Sequence, residues 1–227
     1  MDKKIKQLVE LQNNLNNMTN GDKWIEGITN KGKEINWFTA ILLETGEGID
    51  STPWKHWKAI DAQPDLENLK IEVVDTFHFV MSQLIKEIGV EDTIKTLTYF
   101  KNELNSIIED EFDTKTFIDV NKKFMKITLL LEYPDDGCEY TYSQWIVAFY
   151  KVISESTLTF DELYNLYIMK NALNQIRQNN GYKEGTYKKE WEGKEDNVYL
   201  HELIKENPEM PFDEIMNNLQ KKYNSIK

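Results

Sequence analysis

The stretch Ile71–Ile85, IEVVDTFHFVMSQLI, decides the class of fold to expect. Its apolar residues fall too densely for a half-solvated helix and lack the strict alternation of a strand. With Leu69 before it and Ile88 after it, it predicts a buried helix from about Asp65 to Ile88, stopped by Gly89. Glu72 and Asp75 lie inside this run, and no Lys or Arg occurs between Ile71 and Ile85 to neutralise them. Buried carboxylates need a cation or hydrogen-bond donors to offset lost hydration, so a metal ion is the better explanation of this pair.

A second pair has the same spacing. Glu44 and Glu47 fall on a helix expected from about Asn36 to Asp50, and residues three apart on a helix share a face. Asp50 stands one further turn along that face. Pro53 and Pro64 bracket a connection able to return the chain antiparallel, which sets the two acidic pairs opposite one another. Four hard oxygen ligands, with water and a substrate phosphate completing each octahedron, describe a magnesium site for phosphoryl chemistry. His78, three residues after Asp75, raises a di-iron alternative. That architecture needs Glu-x-x-His on two helices, and the three histidines His56, His78 and His201 cannot complete it. His78 is therefore expected as a hydrogen-bonding core residue.

Outward from these pairs the chain reads as helix almost throughout, and the expected class is all-α, a helical bundle. Leu8, Leu11, Leu15 and Met18 stripe a first helix that ends at Thr19, Asn20 and Gly21. Later helices are expected over about Glu91–Glu109, Lys115–Glu132 and Tyr142–Glu155, with a turn at Pro134–Gly137 between the last two. Thr159 and Glu162 form a capping-box signature for a long helix to about Gln178. Two short helices, about Asn197–Glu206 and Phe212–Tyr223, close the chain. At 227 residues without a Gly/Ser/Pro-rich linker, a single domain over 1–227 is expected.

The net charge of -12 argues against binding a nucleic acid polymer or an anionic membrane surface. One cysteine, Cys138, excludes an internal disulfide and has no His motif near it to suggest nucleophilic catalysis. The N-terminus is charged and amphipathic without an apolar signal core, and no run reaches membrane-span length, so a cytoplasmic location is expected.

Against this acidic background, Lys170–Asn197 reads KNALNQIRQNNGYKEGTYKKEWEGKEDN and gathers Lys170, Arg177, Lys183, Lys188, Lys189 and Lys194. Such a segment can grip a polyphosphate: cations neutralise oxygens, Gly181 and Gly185 let backbone amides approach, and Asn171, Asn174, Asn179 and Tyr187 stand among them as polar partners. Read as a loop without regular structure, it is expected to act as a lid.

Five blocks in order, LQNNLN (Leu11–Asn16), TNGDKW (Thr19–Trp24), LETGEGIDSTPWKHWK (Leu43–Lys58), IEVVDTFHFVMS (Ile71–Ser82) and RQNNGYKEGTYKKEWEGKEDN (Arg177–Asn197), resemble the dimeric all-α dUTPases. These dUTP nucleotidohydrolases belong to the wider MazG-like superfamily of all-α nucleotide pyrophosphatases. The resemblance covers nearly the whole chain. It implies hydrolysis of dUTP and dUDP to dUMP at two or more magnesium ions, within a homodimer whose pockets are partly closed by the partner subunit. It makes Glu44, Glu47, Glu72 and Asp75 the metal cage, around a metal-held water that attacks the α-phosphorus. Glu44 is assigned as general base with Glu47 the alternative, since spacing does not separate them. It also implies Gln12 and Asn16 as amide partners of the uracil edge, with Trp24, His56 and Phe79 walling the base. The metal cage is indifferent to the base, so the same chemistry on another nucleotide such as dCTP stands as an alternative. A non-catalytic nucleotide-binding or protein-interaction regulator is the alternative of another class; four intact acids argue against it. The sequence departs from the family's pattern at Gly46 and Gly48, inside the first acidic motif, where a looser helix or a close neighbour is expected.

Overall fold

The computed structural model describes residues 2–57, 59–104, 111–135, 137 and 140–226. Among them are eight α-helices and one two-stranded ribbon, so the fold is all-α. Helix α1 spans Lys3–Asn20, started by Asp2, whose carboxylate accepts the Ile5 amide. A short 3-10 helix, Asp22–Glu26, follows. Helix α2 spans Trp37–Asp50, capped by the Asn36 side chain on the Thr39 amide. Helix α3 spans Leu66–Leu104 and contains the expected stop at Gly89 as an interior break, with φ 77° and ψ 169°. Glycine takes this left-handed φ without steric cost, and the helix resumes at once. The Thr93 hydroxyl, donating to the Gly89 carbonyl at 2.7 Å, helps restart it. The rest of the helix expected to Glu109, and Cys138, lie outside the described residues.

Helices α4 (Thr114–Glu132), α5 (Tyr142–Glu155) and α6 (Phe160–Asn179) complete the bundle. The capping box expected at Thr159 and Glu162 is present, and Thr141 with Gln144 forms a second one. Helix α3 is central: α1, α2, α5 and α6 all pack on it, and α4 packs on α5 and α2. The apolar residues of Leu69–Ile85 that face these neighbours are buried, and Phe77 stacks on Phe149 at 5.9 Å between ring centroids. A helix covered on most of its circumference needs apolar residues nearly all round, as its sequence has.

The segment after α6 is more ordered than a loop. Strands β1 (Glu190–Trp191) and β2 (Lys194–Glu195) pair antiparallel around a tight turn in which Glu192 and Gly193 both have positive φ. Helices α7 (Asp196–Glu206) and α8 (Phe212–Ser225) then pack on α6. Trp191 and Tyr223 are buried, and Tyr187 stacks on Tyr223 at 4.9 Å. These rings extend the hydrophobic core of the bundle into the C-terminal segment.

Candidate active site

Packing α2 against α3 sets the two acidic faces together. Glu44, Glu72 and Asp75 each offer a carboxylate oxygen, all within 4.8 Å of one another. Gly48 lies at this contact: a Cβ there would meet the Glu72 Cβ at 3.7 Å and Phe117 at 3.9 Å, both ordinary distances. Gly46 has no such neighbour. Glu47 is exposed at the rim and lines a separate recess of about 560 Å3 with Asp50, Asn68 and Glu72. Glu72 is held from that side by the Asn68 amide, which donates to its Oε1 at 3.1 Å and to the Ser51 hydroxyl at 2.9 Å.

The electrostatics of the cluster follow from burial and like charge. Burial, then Asp75, Glu47 and Glu72, push the Glu44 carboxyl up to about 8; burial, then Asp75 and Glu47, push Glu72 up to about 7. Burial also raises Asp75, against the pull of Lys170. The Lys170 ammonium lies 2.8 Å from Asp75 Oδ2, the one ion pair that any of the three acids makes among the described residues. One ammonium cannot neutralise three converging carboxylates, and hard oxygen donors at this spacing fit a divalent magnesium-type ion.

A cavity of about 400 Å3 opens beside the cluster, lined by Glu44, Asp75, Gln12, Asn16, His78, Phe79, Trp37, Lys170, Asn174 and Arg177 among others. Gln12 and Asn16 are buried and share a fixed network. Gln12 Nε2 donates to Asn16 Oδ1 at 3.0 Å and to Ser82 Oγ at 2.9 Å, so Gln12 Oε1 is the acceptor. That oxygen receives the Tyr167 hydroxyl at 2.6 Å and His78 Nδ1 at 2.7 Å. His78 therefore carries its proton on Nδ1. Burial, with Lys170 second, pushes its pKa down to about 3, so the ring is neutral and its buried Nε2 has a lone pair but no partner among the described residues. Asn16 Nδ2 donates to Ser82 Oγ at 3.0 Å, and the Ser82 hydroxyl proton goes to the His78 carbonyl at 2.9 Å. Asn16 keeps one N–H and one carbonyl lone pair uncommitted.

The other residues singled out in the sequence divide. Phe79 lines the cavity, stacked at 5.9 Å on Trp37. Trp24 does not reach it: the ring is fully buried behind Trp37, and its Nε1 donates to Asn17 at 2.8 Å. His56 stands exposed against Trp57, away from the cavity of its own chain. Asn171 is buried beneath Tyr167, toward whose hydroxyl its Nδ2 points at 3.4 Å, and it supports the network without facing the cavity. Asn174 is in the lining, while Asn179 is exposed at the end of α6.

The six cations are not a free phosphate clamp, because each already has a partner. Arg177 lines the cavity but forks onto Asp196 with two bonds of 2.8 Å, and Tyr187 donates to the same carboxylate at 2.8 Å. Asp196 is 0% exposed, and its charge holds the Arg177 guanidinium up against the opposing effect of burial. Lys183 donates to the Thr19 carbonyl, Lys188 to the Ile226 carbonyl at 3.2 Å, Lys189 pairs with Glu195 at 3.4 Å and Lys194 with Glu202 at 2.5 Å. Only Lys170 and Arg177 of the six line the cavity.

Trp37, Ser82, Tyr167 and Asp196 were not separable from packing residues by sequence reading. Trp37 carried a usable signal: it precedes Glu44 by seven residues, two helical turns, and so shares its face.

A search of curated proteins finds no match to the chain. A family model described as dUTPase matches residues 4–182, which takes in α1 through α6, the acid cluster and the amide network. The chain belongs to the all-α dUTPase family and is a dUTP diphosphatase.

Proposed function

We propose that the protein hydrolyses dUTP to dUMP and pyrophosphate, and dUDP to dUMP and phosphate, with two or more magnesium ions held by Glu44, Glu72 and Asp75 and, at the rim, Glu47. The observation that carries this reading is the cluster of three carboxylates, two of which, Glu44 and Asp75, line the same cavity as the amide network of Gln12 and Asn16. The ions supply water of lowered pKa and neutralise phosphate charge when bound. Glu44 takes the proton of the water that attacks the α-phosphorus, as the bond from that phosphorus to the leaving pyrophosphate oxygen breaks. Glu44 lines the cavity beside Asp75, whereas Glu47 is exposed at the rim of the separate recess, which favours Glu44 for the role. Lys170 and Arg177 stand at the phosphate end of the cavity.

Base selection rests on orientation. A flipped Asn16 amide would set its NH2 against that of Gln12, so the network fixes which side of Asn16 donates. The uncommitted N–H and lone pair match the 4-carbonyl and N3–H of uracil, whereas cytosine presents an acceptor at N3 and a donor at C4 in the reverse order. Trp37 and Phe79 wall the base, and the lone pair on His78 Nε2 accepts from a nucleoside N–H or hydroxyl.

The active unit in this reading is a cytoplasmic homodimer. Support comes from the connection after α2, where Trp54 is 41% exposed, Trp57 62% and Ile60 fully exposed, beside His56. In this reading these side chains meet a partner subunit, whose pocket His56 would help to close. Pyrophosphate release from dUTP, dCTP, dTTP and UTP, with magnesium and with chelator, tests the activity: magnesium-dependent turnover confined to dUTP is expected, and equal turnover of dCTP overturns the base assignment. Sedimentation at assay concentration tests the dimer, and a fully active 26.9 kDa species overturns it.

A further inference from the structure

The cavities, charged clusters and exposed faces of the molecule differ in one respect at Lys170. Its side chain and that of Asp75 are 12% and 16% exposed, and its Nζ holds Asp75 Oδ2 at 2.8 Å inside the carboxylate cluster. The same Nζ lies 3.5 Å from Asn197 Oδ1, at the start of α7. Asn197 also accepts from Arg177 at 3.2 Å, so its position is fixed by the C-terminal segment independently of Lys170. The ammonium thus has two acceptors, one in the cluster and one outside it.

We infer that Lys170 is a built-in counter-ion that exchanges with the divalent cation: it occupies Asp75 while the cluster is empty of metal, and metal entry drives it off Asp75 toward Asn197. This inference rests on the metal-site reading given above. The reason is electrostatic. A divalent ion liganded by Asp75 at about 2.1 Å would share that carboxylate with an ammonium a few ångströms away, in a site too buried for water to screen the two cations. Without the ammonium, three converging carboxylates would face each other with no cation in contact. The exchange keeps the cluster folded before loading.

Manganese alone, without nucleotide, tests the exchange at pH 8.5. Calorimetric titration of the whole chain should give binding about tenfold tighter in Lys170→Gln, which removes the competing charge, and close to wild type in Lys170→Arg, which keeps it. In chelator, Lys170→Gln should melt at lower temperature than wild type, and manganese should raise its melting temperature by more. A crystal structure of the wild-type protein with manganese should place Nζ beyond hydrogen-bond distance of Asp75 and within it of Asn197. Unchanged or weaker manganese binding in Lys170→Gln, or Nζ still bonded to Asp75 beside the bound ion, overturns the exchange while leaving the metal site standing. Absence of any manganese binding in the wild type overturns both.

Discussion

Two charged regions of this chain were equally conspicuous as sequence, and they fold into opposite solutions. Where α2 meets α3, three carboxylates converge within 4.8 Å with a single ammonium among them. From Arg177 in the last turn of α6 onward, five cations are shared out to carboxylates and carbonyls, and even the guanidinium of Arg177 is matched by a buried Asp196. Abundance of charge is therefore a poor guide to a site. What marks one is charge that the fold buries without neutralising, because only an external partner then accounts for the cost.

The comparison is most strongly tested by deleting one charge from the acidic side. Glu44→Gln or Asp75→Asn should lower kcat for dUTP by about 10^2–10^3-fold, the range seen when a single group stabilising developing charge is lost. Circular dichroism should remain that of a helical protein. Near-normal turnover in both variants would remove these residues from the site. Stability should move the other way for Glu44. Its folded pKa, about 8, lies above its ordinary value, so its favourable contribution is complete only at acid pH and is lost as pH rises through about 8. Glu72 behaves alike through about 7. The metal-free protein should lose melting temperature from pH 6 to pH 9, Glu44→Gln should lose less, and magnesium should stabilise the wild type more at the alkaline end. A flat profile in chelator would mean that the acids are not in conflict.

On the basic side the prediction is structural. Arg177→Met leaves Asp196 buried without its counter-charge and should cost about 3–5 kcal/mol in urea unfolding. Asp196→Asn in the same background should return part of that loss. If Arg177→Met unfolds like the wild type yet loses activity, the residue is a phosphate ligand first and a strut second, and the contrast between the two regions weakens. Tyr187→Phe removes one hydrogen bond to the same carboxylate and should cost about 1–2 kcal/mol.

How far each region could be read in advance follows from the range of the interactions involved. The helices α2 and α3, their acids, the Gly89 break and the capping box at Thr159 depend on residues a few positions apart, and periodicity and local caps record those directly. The metal-site reading of the acids needed only that both faces be buried together. The fates of Arg177 and Trp24 depend on residues far off along the chain or across the bundle. Asp196 lies 19 positions after Arg177, and Trp37, which covers Trp24, comes in by the packing of α2. The segment expected to have no regular structure is irregular over residues 180–189 and then forms the β1–β2 ribbon, which depends on the same kind of distant packing. Its Tyr and Trp residues read as binding groups, but Tyr187, Trp191 and Tyr223 pack against each other as an extension of the hydrophobic core.

The smallest effect sharpens the acidic side, through the two glycines of α2. Both are helical, and each should weaken the helix by about 0.5–1 kcal/mol relative to alanine. Nothing lies within 4 Å of a Cβ placed on Gly46, so Gly46→Ala should stabilise by about that amount, raise the melting temperature by about 2–4 °C and leave turnover unchanged. At Gly48 the new methyl would touch Glu72 Cβ at 3.7 Å, an ordinary contact, so the same gain in helix stability is expected. That methyl, however, lies against the backbone-proximal end of a cage carboxylate, and any small rotation of Glu72 changes the oxygen spacing on which metal affinity depends. Manganese titration of the two variants separates these cases. Equal affinity in both would show that the spacing of Glu72 tolerates its neighbour. Weaker binding confined to Gly48→Ala would show that this glycine is kept for the geometry of the acids. A loss of stability in Gly46→Ala would point to a surface, absent from the single chain, that packs against α2 at that position.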